Sequence, residues 1–183
     1  MTTYFSADLH LGHRNIIQYC GRPFKHADEM DEMLIANWNA VVGSDDTVYH
    51  IGDFTLAGIE SAQNYFGRLN GIIHALPGSH DDRWWTDSIE FYSRTGARVV
   101  LSPPMVVYHA AGYFTGTDRK YTLPIVLCHY AMRTWPMSHY RSLHLYGHSH
   151  GRLPALPRSM DVGVDCHDFR PVSLDDVVLK LGV

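Results

Sequence analysis

The chain reads as an α/β protein in which an early helix–strand alternation gives way to a strand-rich second half. Three observations predict this. Apolar residues recur at helical spacing in residues 28–42, and short β-prone runs stop at Gly, Asp or Pro. Between residues 98 and 164 the strand-like runs follow one another, separated by Pro and Gly. Such an order implies layered helices over a mixed sheet or two packed sheets. The 183 residues are 45% hydrophobic and 19% charged, the balance of an ordinary folded chain.

Taken in order, residues 2–7 form a short β-prone run that ends at Asp8. Residues 28–42 place Met30, Met33, Leu34, Trp38 and Val41 on one helical face, and Asp45-Asp46 ends that helix. Residues 47–51 read as a strand stopped by Gly52-Asp53. Residues 59–69 read as a helix, and 71–76 as a strand closed by Pro77-Gly78. Strands are then predicted at 98–101, 105–109, 122–128, 142–146 and 160–164. The last amphipathic stretch, 173–181, suits either helix or strand. There is no internal repeat, low-complexity tract or linker-like composition, so residues 1–183 read as one domain.

Composition excludes several classes. A formal charge of −4 argues against a protein that grips extended nucleic acid. Cys20, Cys128 and Cys166 are far apart with no CxxC pair, which excludes a disulfide framework and a cysteine-rich zinc site. No apolar run approaches the roughly 18–20 residues that span a bilayer, and the start lacks a signal-peptide pattern. The expectation is a soluble, cytoplasmic protein with no membrane partner. Against this plain background, 13 His nearly match 15 Lys+Arg.

The acids and histidines fall where strands end. Asp8 and His10 follow the first strand, Asp53 the second, and Gly78-Ser79-His80-Asp81 the third. His129 ends the run 122–128, and Gly147-His148-Ser149-His150 follows 142–146. Singly each is weak: Gly-Asp suits a turn, and a lone His is more often packed or hydrogen-bonded. Five strand ends delivering Asp or His to one sheet edge form a coherent metal-site pattern, since ligand sites in open α/β sheets lie there. Carboxylate and imidazole without thiolate suit Mn²⁺, Zn²⁺, Fe or Ni rather than Ca²⁺.

Gly147-His148-Ser149-His150-Gly151 also fits the G-x-S-x-G nucleophile elbow. That motif needs a following helix, which Pro154 and Pro157 oppose. Neither a G-x-x-x-x-G-K-[ST] nor a G-x-G-x-x-G phosphate loop is present. Trp84 and Trp85 beside Arg83, with Tyr130, Arg133 and Trp135 after His129, offer two readings: a substrate wall that stacks a ring and pairs with phosphate, or core aromatics and a surface Arg. His13 is close enough in sequence to line the same site.

In this order, Asp8-x-His10, Gly52-Asp53, Gly78-Ser79-His80-Asp81, His129 and Gly147-His148-x-His150 resemble the calcineurin-like metallophosphoesterases. Asp161-Val-Gly-Val-Asp165 is similar to small bacterial and phage members. The resemblance implies a four-layer αββα sandwich of two mixed β-sheets flanked by helices, with two divalent metal ions, Mn first among them. It assigns Asp8, His10, Asp53 and His150 to one ion, and Asp53, His129 and His148 to the other. A metal-bridging hydroxide would attack phosphorus, His80 would act as general acid, and Asp81 would orient the His80 ring. Arg133 and His13 are the candidate substrate-binding residues. The implied substrate is a small phosphoester, nucleotides included, with diesters ahead of monoesters, nucleotide pyrophosphates and triesters. The family's third block normally has Asn where this chain has Ser79, a shorter and poorer ligand, so a weaker or water-completed second metal site follows. That substitution keeps open a second class, a non-catalytic interaction module on the same fold.

Overall fold

The computed structural model describes residues 1–113 and 120–183. Its regular elements are β1 (Thr3–Ser6), α1 (Arg14–Cys20), α2 (Ala27–Val41), β2 (Thr47–Ile51), α3 (Ile59–Phe66), β3 (Ile72–Leu76), β4 (Val100–Leu101), β5 (Met105–Tyr113), β6 (Lys120–Leu127), β7 (Leu143–Tyr146), β8 (Ser159–Asp161), β9 (Val172–Ser173) and α4 (Leu174–Leu181). Two mixed sheets result. The first has the order β4-β3-β2-β1-β9, with only β9 antiparallel to its neighbour. The second has the order β5-β6-β7-β8, with β6, β7 and β8 parallel and β5 antiparallel.

Alternation along the strands explains the layering. In β2, Val48 faces the helices while Ile51 faces the other sheet; in β3, Ile73 and Leu76 divide likewise. The inter-sheet layer is Phe5, Ala7, Ile51 and Leu76 against Ile125, Leu127, Leu143 and Leu145. Outside the first sheet, α1, α2 and α3 bury Ile16, Met30, Leu34, Trp38, Ala62 and Phe66. An aromatic cluster anchors this layer, with Phe54 stacked on Phe66 at 4.0 Å and Trp84 edge-on to Phe54, Phe66 and Phe91. The protein is therefore a layered α/β sandwich. On the far side of the second sheet, Trp135 lies over His144, and a 3-10 turn at Ser138–Tyr140 follows.

Three local differences from the sequence expectation have clear causes. The face of α2 holds Met30, Leu34 and Trp38 inward, but Met33 is 47% exposed and Asp31 is buried instead. Asp31 accepts both Gly12 N–H at 2.9 Å and the Tyr65 hydroxyl at 2.8 Å, so a polar tether displaces an apolar contact. The stretch 173–181 is both alternatives in sequence: Ser173 ends β9 and caps α4, its Oγ accepting from Asp176 N at 3.1 Å. The short helix α1 has no sequence counterpart above; it stops at Gly21, whose φ of +63° a side chain would resist.

Candidate metal centre

The parallel strands of both sheets end on the same side. Residues after β1, β2 and β3 meet residues after β6, β7 and β8 there, and backbone hydrogen bonds lock the loops together. Asp8 N donates to Gly52 O and His10 N to Asp53 O, both at 3.0 Å. Across the two sheets, His148 N donates to the Asp8 carboxylate at 2.9 and 3.0 Å. Close approach needs glycine: a Cβ at Gly78 would sit 2.1 Å from Asp53 N, and one at Gly147 would sit 2.6 Å from the Ala7 Cβ.

Backbone conformation marks these residues independently of their chemistry. Asp8, His10, Asp53, His148 and His150 all have positive φ, between 48° and 66°. For a residue with a Cβ this region costs about 1–2 kcal/mol. They are five of the ten described non-glycine residues with positive φ, the others being Met137, Arg141, Arg158, Asp168 and Phe169, so half of these strained positions are candidate ligands.

Four overlapping groups of potential ligands form among the described residues, one joining His10 and Asp53 to His80 and one joining His150 to Cys20 and Asp165. Ligand atoms of Asp8, His10 and His150 lie within 4.8 Å of one another, as do those of Asp53, His129 and His148. Asp53 joins them: His10 Nε2 is 3.5 Å and His129 Nε2 3.3 Å from the same oxygen, Oδ2. Both nitrogens are buried and without a hydrogen-bond partner. His129 Nδ1 donates to Ile51 O at 2.8 Å, which leaves Nε2 with its lone pair towards Asp53. Three lone-pair atoms facing one another in a buried cleft require a cation or a proton among them. The donor set, burial and orphaned nitrogens all fit divalent metal.

The titration shifts carry the same demand. Burial raises Asp8 from the carboxylate range to about 7, against the pull of His150 and His129. Asp53 is also opposed by burial, yet the charges of His129 and His10 and the His80 backbone N–H hold it well below its usual range. His129 is raised despite burial because Asp53 faces it. His10, more deeply desolvated, is held well below the usual imidazole value.

Around the ligands stands a polar frame that sequence reading missed in part. His150 Nδ1 contacts Asp165 Oδ2 at 2.7 Å, which fixes the imidazole tautomer and leaves Nε2 free for a cation. Arg22, buried 22 residues into the chain, forks onto both Asp165 oxygens at 2.8 Å. The same guanidinium donates to the carbonyls of Asp8 at 2.7 Å and Leu9 at 3.0 Å. Burial works against ionised Asp165, but His150 and Arg22 bring it down to about 2. Asp161 in turn accepts from Ser149 Oγ at 2.6 Å, Gly151 N at 2.9 Å and Gly163 N at 2.8 Å. Ser149 therefore serves the His148–His150 loop; the next regular element is strand β8 and not a helix, so the nucleophile-elbow pattern has no structural counterpart.

Asp81, Ser79, Trp84 and Trp135 take other roles than the sequence suggests. Asp81 does not orient the His80 ring. Its buried carboxylate is consumed by Asp53 N and Gly78 N at 2.8 Å, Phe54 N at 2.9 Å and the Trp84 indole at 3.0 Å, so it shapes the Asp53 turn. Ser79 spends its hydroxyl on Asp53, at 3.2 and 3.1 Å from the two oxygens. Arg133 is exposed, four residues after His129, and makes no hydrogen bond or ion pair with a described residue. Trp84 is core and Trp135 donates to Ser142, which removes both from the proposed wall. His80 and His13 do join the site. The His80 ring is 5.4 Å from His10 and 6.1 Å from His13 by ring centroids, at the exposed mouth, while its backbone N donates to Asp53 at 2.9 Å.

Fold and site together define a layered α/β sandwich that gathers Asp and His clusters able to hold metal at its strand ends. The chain belongs to the same family as the uncharacterised protein MJ1445 of Methanocaldococcus jannaschii, with 30% identity over 184 residues, 96% of this chain and 88% of that protein. The gene 66 protein of Mycobacterium phage L5 is 35% identical over 74 residues, covering 40% of this chain and 30% of the phage protein. A solved structure of the Aquifex aeolicus protein AQ665, of unknown function, matches 98% of both chains with a TM-score of 0.64 at 19% identity, a likeness of fold. No family model matches the chain. Among the described residues no helix is long and apolar enough to cross a membrane.

Proposed function

We propose that the protein is a binuclear metal-dependent phosphoesterase of the calcineurin-like type, acting on phosphodiesters. One observation carries the reading: the orphaned Nε2 atoms of His10 and His129 converge on a single oxygen of Asp53. Asp8, His10 and His150 would hold one ion, and His129 and His148 the other, with Asp53 serving both. When bound, such a pair acidifies the attacking water and offsets charge on the phosphoryl oxygens.

The chain's own residues supply the rest. Asp165 and Arg22 hold His150 in one tautomer and fasten the Asp8 loop. Asp81 orders the backbone that aims Asp53. His80, exposed at the mouth beside His10, is placed to give a proton to the departing ester oxygen, and His13 packs next to it. The free cysteines Cys20, Cys128 and Cys166 suit a cytoplasmic setting.

The test is metal content together with hydrolysis of bis(4-nitrophenyl) phosphate in Mn²⁺. Two ions per chain and turnover abolished by chelator are expected. Two bound ions without turnover on any ester would favour the non-catalytic module, and no bound ion would overturn the reading.

A further inference from the structure

Beside the metal centre, in direct contact with two of its candidate ligands, one tyrosine ring is left half uncovered; Tyr19, also exposed, reaches only His13 among the described rings. Tyr130 follows His129 directly and is 50% exposed. Its ring stands edge-on to two nominated ligands, 5.1 Å from His129 and 4.8 Å from His148. The other aromatics named from the sequence are committed elsewhere: Trp84 to the core, Trp85 against Trp84, and Trp135 to Ser142 and His144. The loop that carries Tyr130 is also held from beneath. Buried His144 accepts Met132 N–H through Nε2 at 3.0 Å, while its Nδ1 lies 3.3 Å from Val126 O. Tyr130 is therefore an apolar surface on a fastened loop, adjoining the place where a phosphoryl group would sit.

We propose that Tyr130 is the specificity residue of the site, stacking an aromatic substituent of the phosphoester, aryl or nucleobase. This rests on the phosphoester reading and narrows it to a substrate class. Phosphate alone has nothing to offer the Tyr130 face. A flat ring one ester bond away can cover it, and base–aromatic stacking is tolerant of ring identity. His129 and His148 meet the ring at steep angles, 74° and 62°, and the half of its surface they leave exposed is what remains for a ligand.

The experiment measures binding to the Mn²⁺-loaded protein by calorimetry, with methyl phosphate, phenyl phosphate and thymidine 5′-phosphate as probes. Wild type should bind phenyl phosphate about ten-fold more tightly than methyl phosphate. In Tyr130→Ala that ratio should collapse to near one, and in Tyr130→Phe it should persist. Manganese stoichiometry of each variant checks that the centre is intact. A preference for thymidine 5′-phosphate beyond phenyl phosphate assigns a nucleobase; equal affinities for the two assign a simple aryl group. If methyl and phenyl phosphate bind wild type equally, or Tyr130→Ala keeps the ratio, the proposal fails while the phosphoester reading stands. If the Mn²⁺-loaded protein binds none of these phosphates and does not turn over bis(4-nitrophenyl) phosphate, both fail.

Discussion

His50 offers a test of the fold that needs no assumption about substrate. It lies in β2, is fully buried, and neither ring nitrogen has a hydrogen-bond partner. Its ring is edge-on to Phe54 at 5.3 Å and tilted over Trp38 at 6.5 Å. Burial lowers its pKa from 6.5 to about 3, with the charge of His129 adding to the shift. The folded chain keeps this imidazole neutral while the unfolded chain takes up a proton below pH 6.5. Stability must then fall as pH falls from 6.5 towards 3, by about 1.4 kcal/mol per pH unit for this group alone. At pH 4.5 the loss is about 2.7 kcal/mol, and the full loss near pH 3 is about 5 kcal/mol. His50→Leu fills similar space, removes two unsatisfied nitrogens and cannot protonate. It should match or exceed wild type at pH 7.5, where unsatisfied buried groups cost about 1–3 kcal/mol. Urea unfolding of both proteins at pH 7.5, 6.5, 5.5 and 4.5 measures the gap, which should widen by about 2.7 kcal/mol between pH 7.5 and 4.5. Parallel stability curves over that interval would show that the folded state protonates His50 freely and would refute the reasoning.

Other outcomes follow from the frame. Asp81→Asn retains one carbonyl oxygen where the carboxylate accepts several donors, so stability should drop by about 2–4 kcal/mol, and metal affinity with it; normal stability with lost turnover would instead return Asp81 to a catalytic role. Arg22→Met leaves Asp165 buried beside His150 without its fork, and a loss of about 3–5 kcal/mol in denaturant unfolding is expected; an unchanged midpoint would contradict it. Because Asp8 is held protonated up to about pH 7, Mn²⁺ must displace that proton. Affinity should therefore rise about ten-fold per pH unit below 7 and flatten above it, and pH-independent affinity between pH 5.5 and 7 would count against Asp8 as a ligand. His129→Ala should remove one of two metal-binding steps, and with it part of the rise in melting temperature that Mn²⁺ produces; two steps retained would exclude His129.

What was legible in the sequence was local. The strand runs, their stop signals and the Asp or His after each could be read because a strand end and its first loop residues are neighbours in the chain. Arg22 and Asp165 were not legible as a pair: they lie 143 residues apart, and only the return of the chain after β8 brings them together. Asp81 shows the opposite error. Adjacency to His80 in sequence points it at that ring, but four backbone or indole donors claim its oxygens first. Met33 and Asp31 exchanged places because periodicity weighs hydrophobicity and is blind to a tether from Gly12 and Tyr65.

The positive φ angles at Asp8, His10, Asp53, His148 and His150 bear on how this site would decay or be redesigned. At each position glycine is the conformationally relaxed residue, so His148→Gly would ease the backbone while deleting a ligand. Selection for robustness alone would thus erode the centre, and consensus-style stabilisation at these positions would trade away chemistry. Transplanting the six side chains onto another scaffold would fail for the same reason. The bent loops that aim five of them are part of what would have to be inherited.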